Sequence, residues 1–404
     1  MNLIAKARTV LNVSLSWVSY FLSHLMPRSK EIWIFLGWHK NNTREVFADN
    51  SKYLFLNVAN NHPNIRPIWI SADEKISNLL RSKGYESYSI NSLSGIYYSL
   101  RAKYTILGAN MNTLNWRLSG RTNIIQLWHG DGVKQMQLIT SNSKWSFLKI
   151  SKIFIAPSLL RKVLFFISAS EHATRKFICP SFNTQIDKVQ ITGLPRTDIF
   201  FSEIPGAEID IDADLEKKIK QLQTTKPKRL ILYAPTFRRG KDPSSPLSQL
   251  KFIELEKYLS ERNYHLIISL HPKFSKSKWL PEEKFQHIHF SNPGLDKYPL
   301  LKHFDLLVTD YSSIFMEFLL LDIPTIFHVY DMEEYTTVQG IHQDMWENIP
   351  GLRTKTFNEL LSVMDLELEE LKQGHRVARE KLFKYKDAYS SERVTQEILK
   401  DMNS

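Results

Sequence analysis

Cysteine is nearly absent: Cys179 is the single one in 404 residues. One thiol excludes an internal disulfide and a cysteine-built zinc site, and it fits a reducing compartment. Missing as well is a charge-free apolar run of bilayer length, which needs about 20 residues. No repeat or low-complexity tract interrupts the chain. Acidic residues are the scarcer charge, 42 Asp and Glu against 53 Lys and Arg, for a formal net charge of +11. That balance favours anionic partners such as phosphates, nucleic acid or the inner leaflet of a membrane. The 9 Trp, 16 Tyr and 23 Phe are spread through the chain instead of interleaving a basic stripe. With no familiar nucleic-acid motif either, no nucleic-acid partner is expected.

A chain of this length exceeds what one hydrophobic core usually supports, so two domains of roughly 200 residues are expected. At the N-terminus, Asn2, Lys6, Thr9, Asn12, Ser16, Ser19 and Ser23 recur every three or four residues. Ile4, Leu11, Leu15, Val18, Leu22 and Leu25 fall on other faces. This is the pattern of an amphipathic helix over residues 1–27. No small-residue cleavage site follows before Pro27-Arg28-Ser29-Lys30, so a cleaved signal peptide is not expected. Lys6, Arg8, Arg28 and Lys30, with no acid before Glu31, suit a helix lying on an anionic surface; packing on its own domain is the other reading.

From residue 28 the sequence alternates short apolar strands with helices. EIWIFLG (31–37), RPIWIS (66–71), YTILGA (104–109), KVLFFISAS (162–170) and KVQITG (188–193) read as strands, and SKYLFLNVAN (51–60) reads as a helix. WSFLKISKIFIAPS (145–158) suggests a further element. Such alternation implies a parallel sheet covered on both faces. Residues 203–228 turn polar and are expected to be a linker, with Asp210, Asp212 and Asp214 solvated rather than metal-binding. The rhythm resumes over 229–404 with RLILYAPTF, YHLIISLHP, HIHFS and DLLVTDYSSIFMEFLLLDIPTIFH, then helices. The fold class is α/β, with two domains over 28–202 and 229–404.

Chemistry-bearing residues sit where the apolar runs stop. In QLWHGDG (126–132), His129 ends a strand, and Gly130 and Gly132 free the backbone beside it. In an α/β sheet that position faces the ligand crevice. Val308-Thr309-Asp310-Tyr311-Ser312-Ser313 runs from a strand into a helix expected from about Ser312, whose N–H groups and dipole favour an anion such as pyrophosphate. Glu317 lies one turn on, where its carboxylate could accept from ribose hydroxyls. Pro235-Thr236-Phe237-Arg238, then Arg239 and Lys241, offers cations for phosphate, and His271-Pro272-Lys273 puts an imidazole at a third strand end. Gly193-Leu194-Pro195-Arg196-Thr197-Asp198 forms a rigid turn that either locks the domains together or faces their cleft. No dedicated metal site is visible, although Mg²⁺ held mainly by a substrate's phosphates would leave little trace.

Taken in order, Trp128-His129-Gly130, the 193–198 turn, Tyr233-Ala234-Pro235-Thr236-Phe237-Arg238, His271-Pro272 and Thr309-Asp310-Tyr311-Ser312-Ser313 resemble the CDP-glycerol glycerophosphotransferase family of teichoic acid and capsule polymerases. Phe47-Ala48-Asp49-Asn50-Ser51-Lys52-Tyr53-Leu54 looks like an early segment of that family. The resemblance implies two Rossmann-like halves of the glycosyltransferase B type. It also implies a peripheral enzyme on the cytoplasmic face of the membrane, moving an alditol phosphate from CDP-glycerol or CDP-ribitol to a hydroxyl of a polymer or lipid-linked primer. His129 would be the catalytic base, and His271, Thr236, Arg238, Thr309, Asp310, Ser312 and Ser313 would serve the donor's diphosphate. Arg196 would approach the donor from the hinge and Glu317 would meet the ribose. Gly130-Asp131-Gly132 departs from the Thr-Pro step of many members. A nucleotide-sugar glycosyltransferase on the same fold, or a non-catalytic basic membrane-binding protein, are the rival expectations.

Overall fold

The computed structural model describes residues 3–37, 45–109, 111–130, 132, 162–236, 238, 246–270 and 284–404. Its framework is two all-parallel sheets. The first takes β1 (Ser29–Leu36), β2 (Arg66–Ser71), β3 (Ser87–Ser89), β4 (Ala102–Leu107), β5 (Asn123–Gln126), β6 (Val163–Ser168) and β7 (Val189–Ile191) in the order β3-β2-β1-β4-β5-β6-β7. The second takes β8 (Arg229–Ala234), β9 (Tyr264–Ile268), β10 (Ile288–Phe290), β11 (Leu306–Thr309), β12 (Thr325–His328) and β13 (Leu352–Thr354) in the order β10-β9-β8-β11-β12-β13. In each, strand order reverses beside the first strand, between β1 and β4 and between β8 and β11. Ligand crevices form outside the carboxyl ends of the strands at such switch points. The near-continuous apolar runs are explained by burial on both faces: every residue of β8, β9, β11 and β12 is buried.

Three elements differ from expectation. The stretch expected to be a linker contains a helix, Ala213–Thr225, with Leu215, Ile219 and Leu222 buried at helical spacing. Asp212 caps it by accepting from Leu215 N–H at 3.2 Å, which accounts for one acid of the Asp-rich run. The helix expected from Ser312 is shorter, Phe315–Leu320, so Ser312 and Ser313 lie in the turn before it. The final helix, Ser390–Asn403, belongs by sequence to the second half but packs against the first. There Asp401 accepts from Tyr104 Oη (2.8 Å) and Asn123 Nδ2 (2.9 Å). Asp198 of the 193–198 turn caps that helix, accepting from Ser390 N–H at 2.9 Å and Ser391 N–H at 2.8 Å. The segment 145–158 lies outside the described residues.

The first helix, α1 (Leu3–Leu25), docks by its polar and aromatic side. Ser16 and Ser23 are buried, Trp17 and Tyr20 pack on Trp116, and Ser23 Oγ accepts from Gly120 N–H at 2.9 Å. A Cβ on Gly120 would lie 2.4 Å from that hydroxyl, so only glycine permits this approach. Leu15, Val18, Phe21, Leu22 and Leu25 are exposed on the opposite arc.

Candidate functional site

Between the carboxyl ends of the two sheets lies a cavity of about 580 Å³. The first half contributes Asp49, Trp128, His129, Gly130 and Gly132; the second contributes Thr236, Ser269, Lys297, Ser312, Ser313 and Tyr335, among others. His129 is the half-buried member of an otherwise buried turn, and it lines the cavity together with Trp128, Gly130 and Gly132. The two halves approach closely: a Cβ on Gly132 would stand 3.4 Å from Ser313 Cβ. The crevice anticipated from strand ends therefore exists, and it brings His129, Thr236, Ser312 and Ser313 together.

Among the described residues, Arg196, Arg238, Thr309, Asp310 and Glu317 are not part of this lining. Arg238 is buried in an ion-pair cluster, its Nη1 donating to Asp310 at 2.7 Å and its Nε and Nη2 to Asp331 at 2.6 and 3.0 Å. Tyr311, Tyr330 and Tyr335 surround its guanidinium at 5.0–5.3 Å. Burial opposes the guanidinium's charge, but Asp310 and Asp331 more than offset it and raise its pKa. Asp310 also accepts from the Thr236 N–H at 2.9 Å, and Thr309 Oγ1 donates to Ala234 O at 2.7 Å. These contacts lock the β8 and β11 ends together, which fixes where Thr236 and Ser312 sit. Arg238, Thr309 and Asp310 thus lie one layer behind the cavity wall, where they position residues that line it.

Arg196 and Glu317 likewise lie behind the lining. Both are buried, and each holds the other: Arg196 Nε and Nη2 donate to Glu317 Oε1 at 2.9 and 2.5 Å. Arg196 Nη1 also donates to Asp49 Oδ1 at 2.8 Å and to His129 O at 2.7 Å. Burial disfavours the charge, and the carboxylates of Glu317 and Asp49 restore it, holding the guanidinium well above its ordinary pKa. His271, Arg239, Lys241 and Lys273 lie outside the described residues.

Sequence reasoning missed the role of the first turn of α2 (Asp49–Asn61). Besides Asp49, its buried Lys52 donates to Asp296 Oδ2 at 2.7 Å and to the carbonyls of Ala207 and Ile209 at 2.7 and 2.8 Å. Tyr53 Oη donates to the same Asp296 oxygen at 2.8 Å. Beside it, Lys297 lines the cavity, and burial depresses its ammonium pKa against the opposing pull of Asp212 and Asp296. Among the described residues no group of three His, Cys, Asp or Glu is placed to hold a metal ion, and Asp212, expected to be solvated, is instead fully buried as a helix cap.

Residues 18–400 match the family model described as CDP-glycerol:poly(glycerophosphate) glycerophosphotransferase. The chain is 26% identical over 396 residues to the teichoic acid poly(ribitol-phosphate) polymerase of Bacillus spizizenii, covering 96% of this chain and 59% of that one. It is 28% identical over 356 residues to the teichoic acid glycerol-phosphate primase of the same organism, covering 83% and 86%. The match spans 43%, 59% and 39% of the length of three ribitol-phosphate polymerases. Among solved structures, the wall teichoic acid polymerase TagF superposes with a TM-score of 0.73 at 20% identity, covering 98% of this chain and 97% of that one. That likeness establishes the two-sheet fold.

Proposed function

The chain belongs to the CDP-glycerol:poly(glycerophosphate) glycerophosphotransferase family, and on that premise we propose that it transfers glycerol phosphate or ribitol phosphate from a CDP-alditol to a hydroxyl of a polymer or lipid-linked primer, releasing CMP. The observation that carries this reading is the cavity itself, which is lined by His129 from one domain and by Ser312 and Ser313 from the other. An imidazole opposite an anion-binding turn is what in-line transfer to a hydroxyl requires.

The acceptor hydroxyl has a pKa far above neutrality, so a neutral His129 takes its proton as the oxygen attacks the phosphorus bearing the alditol. The P–O bond to CMP breaks as the new one forms, and charge grows on the departing phosphate. The hydroxyls of Ser312 and Ser313 and the N–H groups of their turn donate to that charge, with the ammonium of Lys297, another lining residue of the same half, adding a cation. We assign any Mg²⁺ to the donor's diphosphate, where it would neutralise phosphate oxygens. The ion-paired Arg238–Asp310 layer keeps the serine turn rigid, so little reorganisation is needed during transfer.

We further propose that the protein works on the cytoplasmic membrane surface through α1. The exposed Leu15, Val18, Leu22 and Leu25, 54–77% accessible, support this, as does the net positive charge. Among the described residues no helix is long and apolar enough to cross a membrane.

The decisive assay is CMP release from purified protein offered CDP-glycerol, CDP-ribitol or UDP- and GDP-sugars, with a membrane extract as acceptor source and His129→Ala as control. CMP formed only from a CDP-alditol, and lost in the variant, supports the reading and names the donor. Turnover of a nucleotide sugar would keep the fold and overturn the reaction.

A further inference from the structure

The backbone that presents His129 is strained, and side chains from three separate elements hold it. Leu127 still pairs with the sheet through Leu107 O at 2.8 Å, and then the chain turns sharply. Trp128 adopts φ +53°, a left-handed conformation that a bulky aromatic residue rarely enters. Such strain persists only where the surroundings over-determine it. Here Gln126 Oε1 accepts from Trp128 N–H at 3.0 Å, Asn50 Nδ2 donates to Trp128 O at 2.9 Å, and Arg196 donates to the next carbonyl, His129 O. Gly130 follows at φ +104°, and a Cβ there would lie 2.2 Å from Arg196 Nη2. The Trp128 and His129 rings then pack with centroids 3.9 Å apart.

Asn50 joins these constraints. It is fully buried in α2, and while its Nδ2 holds the Trp128 carbonyl, its Oδ1 accepts from Arg196 N–H at 3.1 Å. We propose that Asn50 is a positioning residue for His129: its carboxamide keeps Trp128 in the left-handed turn that aims the imidazole into the cavity. Asn50 is absent from the cavity lining, so it acts through the turn and not on substrate. The proposal rests on His129 being the base.

Asn50→Asp tests this with little change of shape. It keeps the oxygen that accepts from Arg196 N–H and exchanges the Nδ2 donor for an oxygen facing the Trp128 carbonyl. Misaiming a catalytic group by about 1 Å costs on the order of 100-fold. The expected result is therefore a kcat for CMP release reduced by at least about tenfold, with the KM for CDP-alditol and the Kd for CDP within about twofold. A residue acting only through His129 adds nothing once His129 is gone, so Asn50→Asp/His129→Ala should match His129→Ala in single-turnover CMP formation. CDP binding reports that each variant is folded; if Asn50→Asp fails that check, Asn50→Ser takes its place. Wild-type kcat in the folded Asn50 variant, or a full additional loss in the double variant, would overturn the positioning role and leave the base reading intact. Full activity of His129→Ala alone would instead remove the base reading, and this proposal with it.

Discussion

Arg196 and Glu317, 121 residues apart in sequence, form a buried ion pair of 2.5 Å that ties the turn ending the first domain to the helix beneath the serine turn of the second. Asp49 accepts from the same guanidinium at 2.8 Å, so three chain segments meet on one side chain.

Removing one member of such a pair strands a charge away from water, at a cost of about 3–5 kcal/mol. Glu317→Gln should therefore lower unfolding stability by roughly that amount in a urea titration, with Asp49 retaining part of the pairing. Because Glu317 faces Arg196 instead of the cavity, the Kd for CDP should stay unchanged at temperatures where the variant is folded. A variant of wild-type stability with weakened CDP binding would support the ribose role expected from the sequence.

The polar groups that do line the cavity should behave in the opposite way. Ser312→Ala and Ser313→Ala each remove one neutral donor, worth about 0.5–1.5 kcal/mol, and should weaken CDP binding by roughly two- to tenfold with little effect on stability. Lys297→Met removes a cation, and contacts to charged groups are worth about 1.5–3 kcal/mol, so its effect on substrate KM should exceed that of either serine. Calorimetric titration of CDP into each variant, with KM measured alongside, checks the order. Unchanged values for all three would place the substrate elsewhere in the cavity.

Stability should also carry a pH signature from Glu45. This carboxyl accepts from Trp69 Nε1 at 3.1 Å and Ala72 N–H at 2.6 Å, yet burial outweighs those donors and pushes its pKa from 4.5 up to about 7. The folded protein therefore keeps a proton that the unfolded chain has released. The resulting stabilisation is complete below the unfolded value and is lost as pH rises through the folded one. Between pH 5 and pH 8 the wild type should lose about 2–3 kcal/mol that Glu45→Gln does not lose. Urea titrations of both proteins at the two pH values measure this, and parallel behaviour would assign Glu45 an ordinary pKa.

The strands were legible because doubly covered parallel strands are continuous apolar runs, as in Arg229–Ala234 and Leu306–Thr309. Their polar ends marked the crevice, and so His129, Thr236, Ser312 and Ser313 were found. What stayed hidden was the direction each charge faces. Arg238 followed by more cations reads as a phosphate binder, but its partners Asp310 and Asp331 lie 72 and 93 residues further on. Asn50 and Lys52 sit in an ordinary-looking helix, and only the fold places them under Trp128 and Asp296. The helix Ala213–Thr225 was obscured by its acidic start, although an N-cap Asp212 ahead of first-turn acids Asp214 and Glu216 and of buried Leu215 and Ile219 is a helix-start signal.

The N-terminal helix packs on its domain through one side and leaves another bare, and the membrane role proposed for the bare side is testable. Leu15, Val18, Leu22 and Leu25 span a single arc and are 54–77% exposed, while the docked side is made of Ser16, Trp17, Tyr20 and Ser23. Fully burying one such leucine is worth about 1.5–3 kcal/mol, so several together would give firm binding to an acyl interface. Leu15→Ser/Leu22→Ser/Leu25→Ser leaves the docked side untouched, unlike deletion of the helix, which would also remove the Ser23 contact to Gly120. In sedimentation with anionic phospholipid vesicles, the triple variant should move to the supernatant while CDP binding stays at the wild-type level. Raising the salt should release the wild type only in part, because the apolar contribution is not screened. Vesicle binding that survives the triple substitution but vanishes in salt would assign attachment to the basic surface instead of to α1.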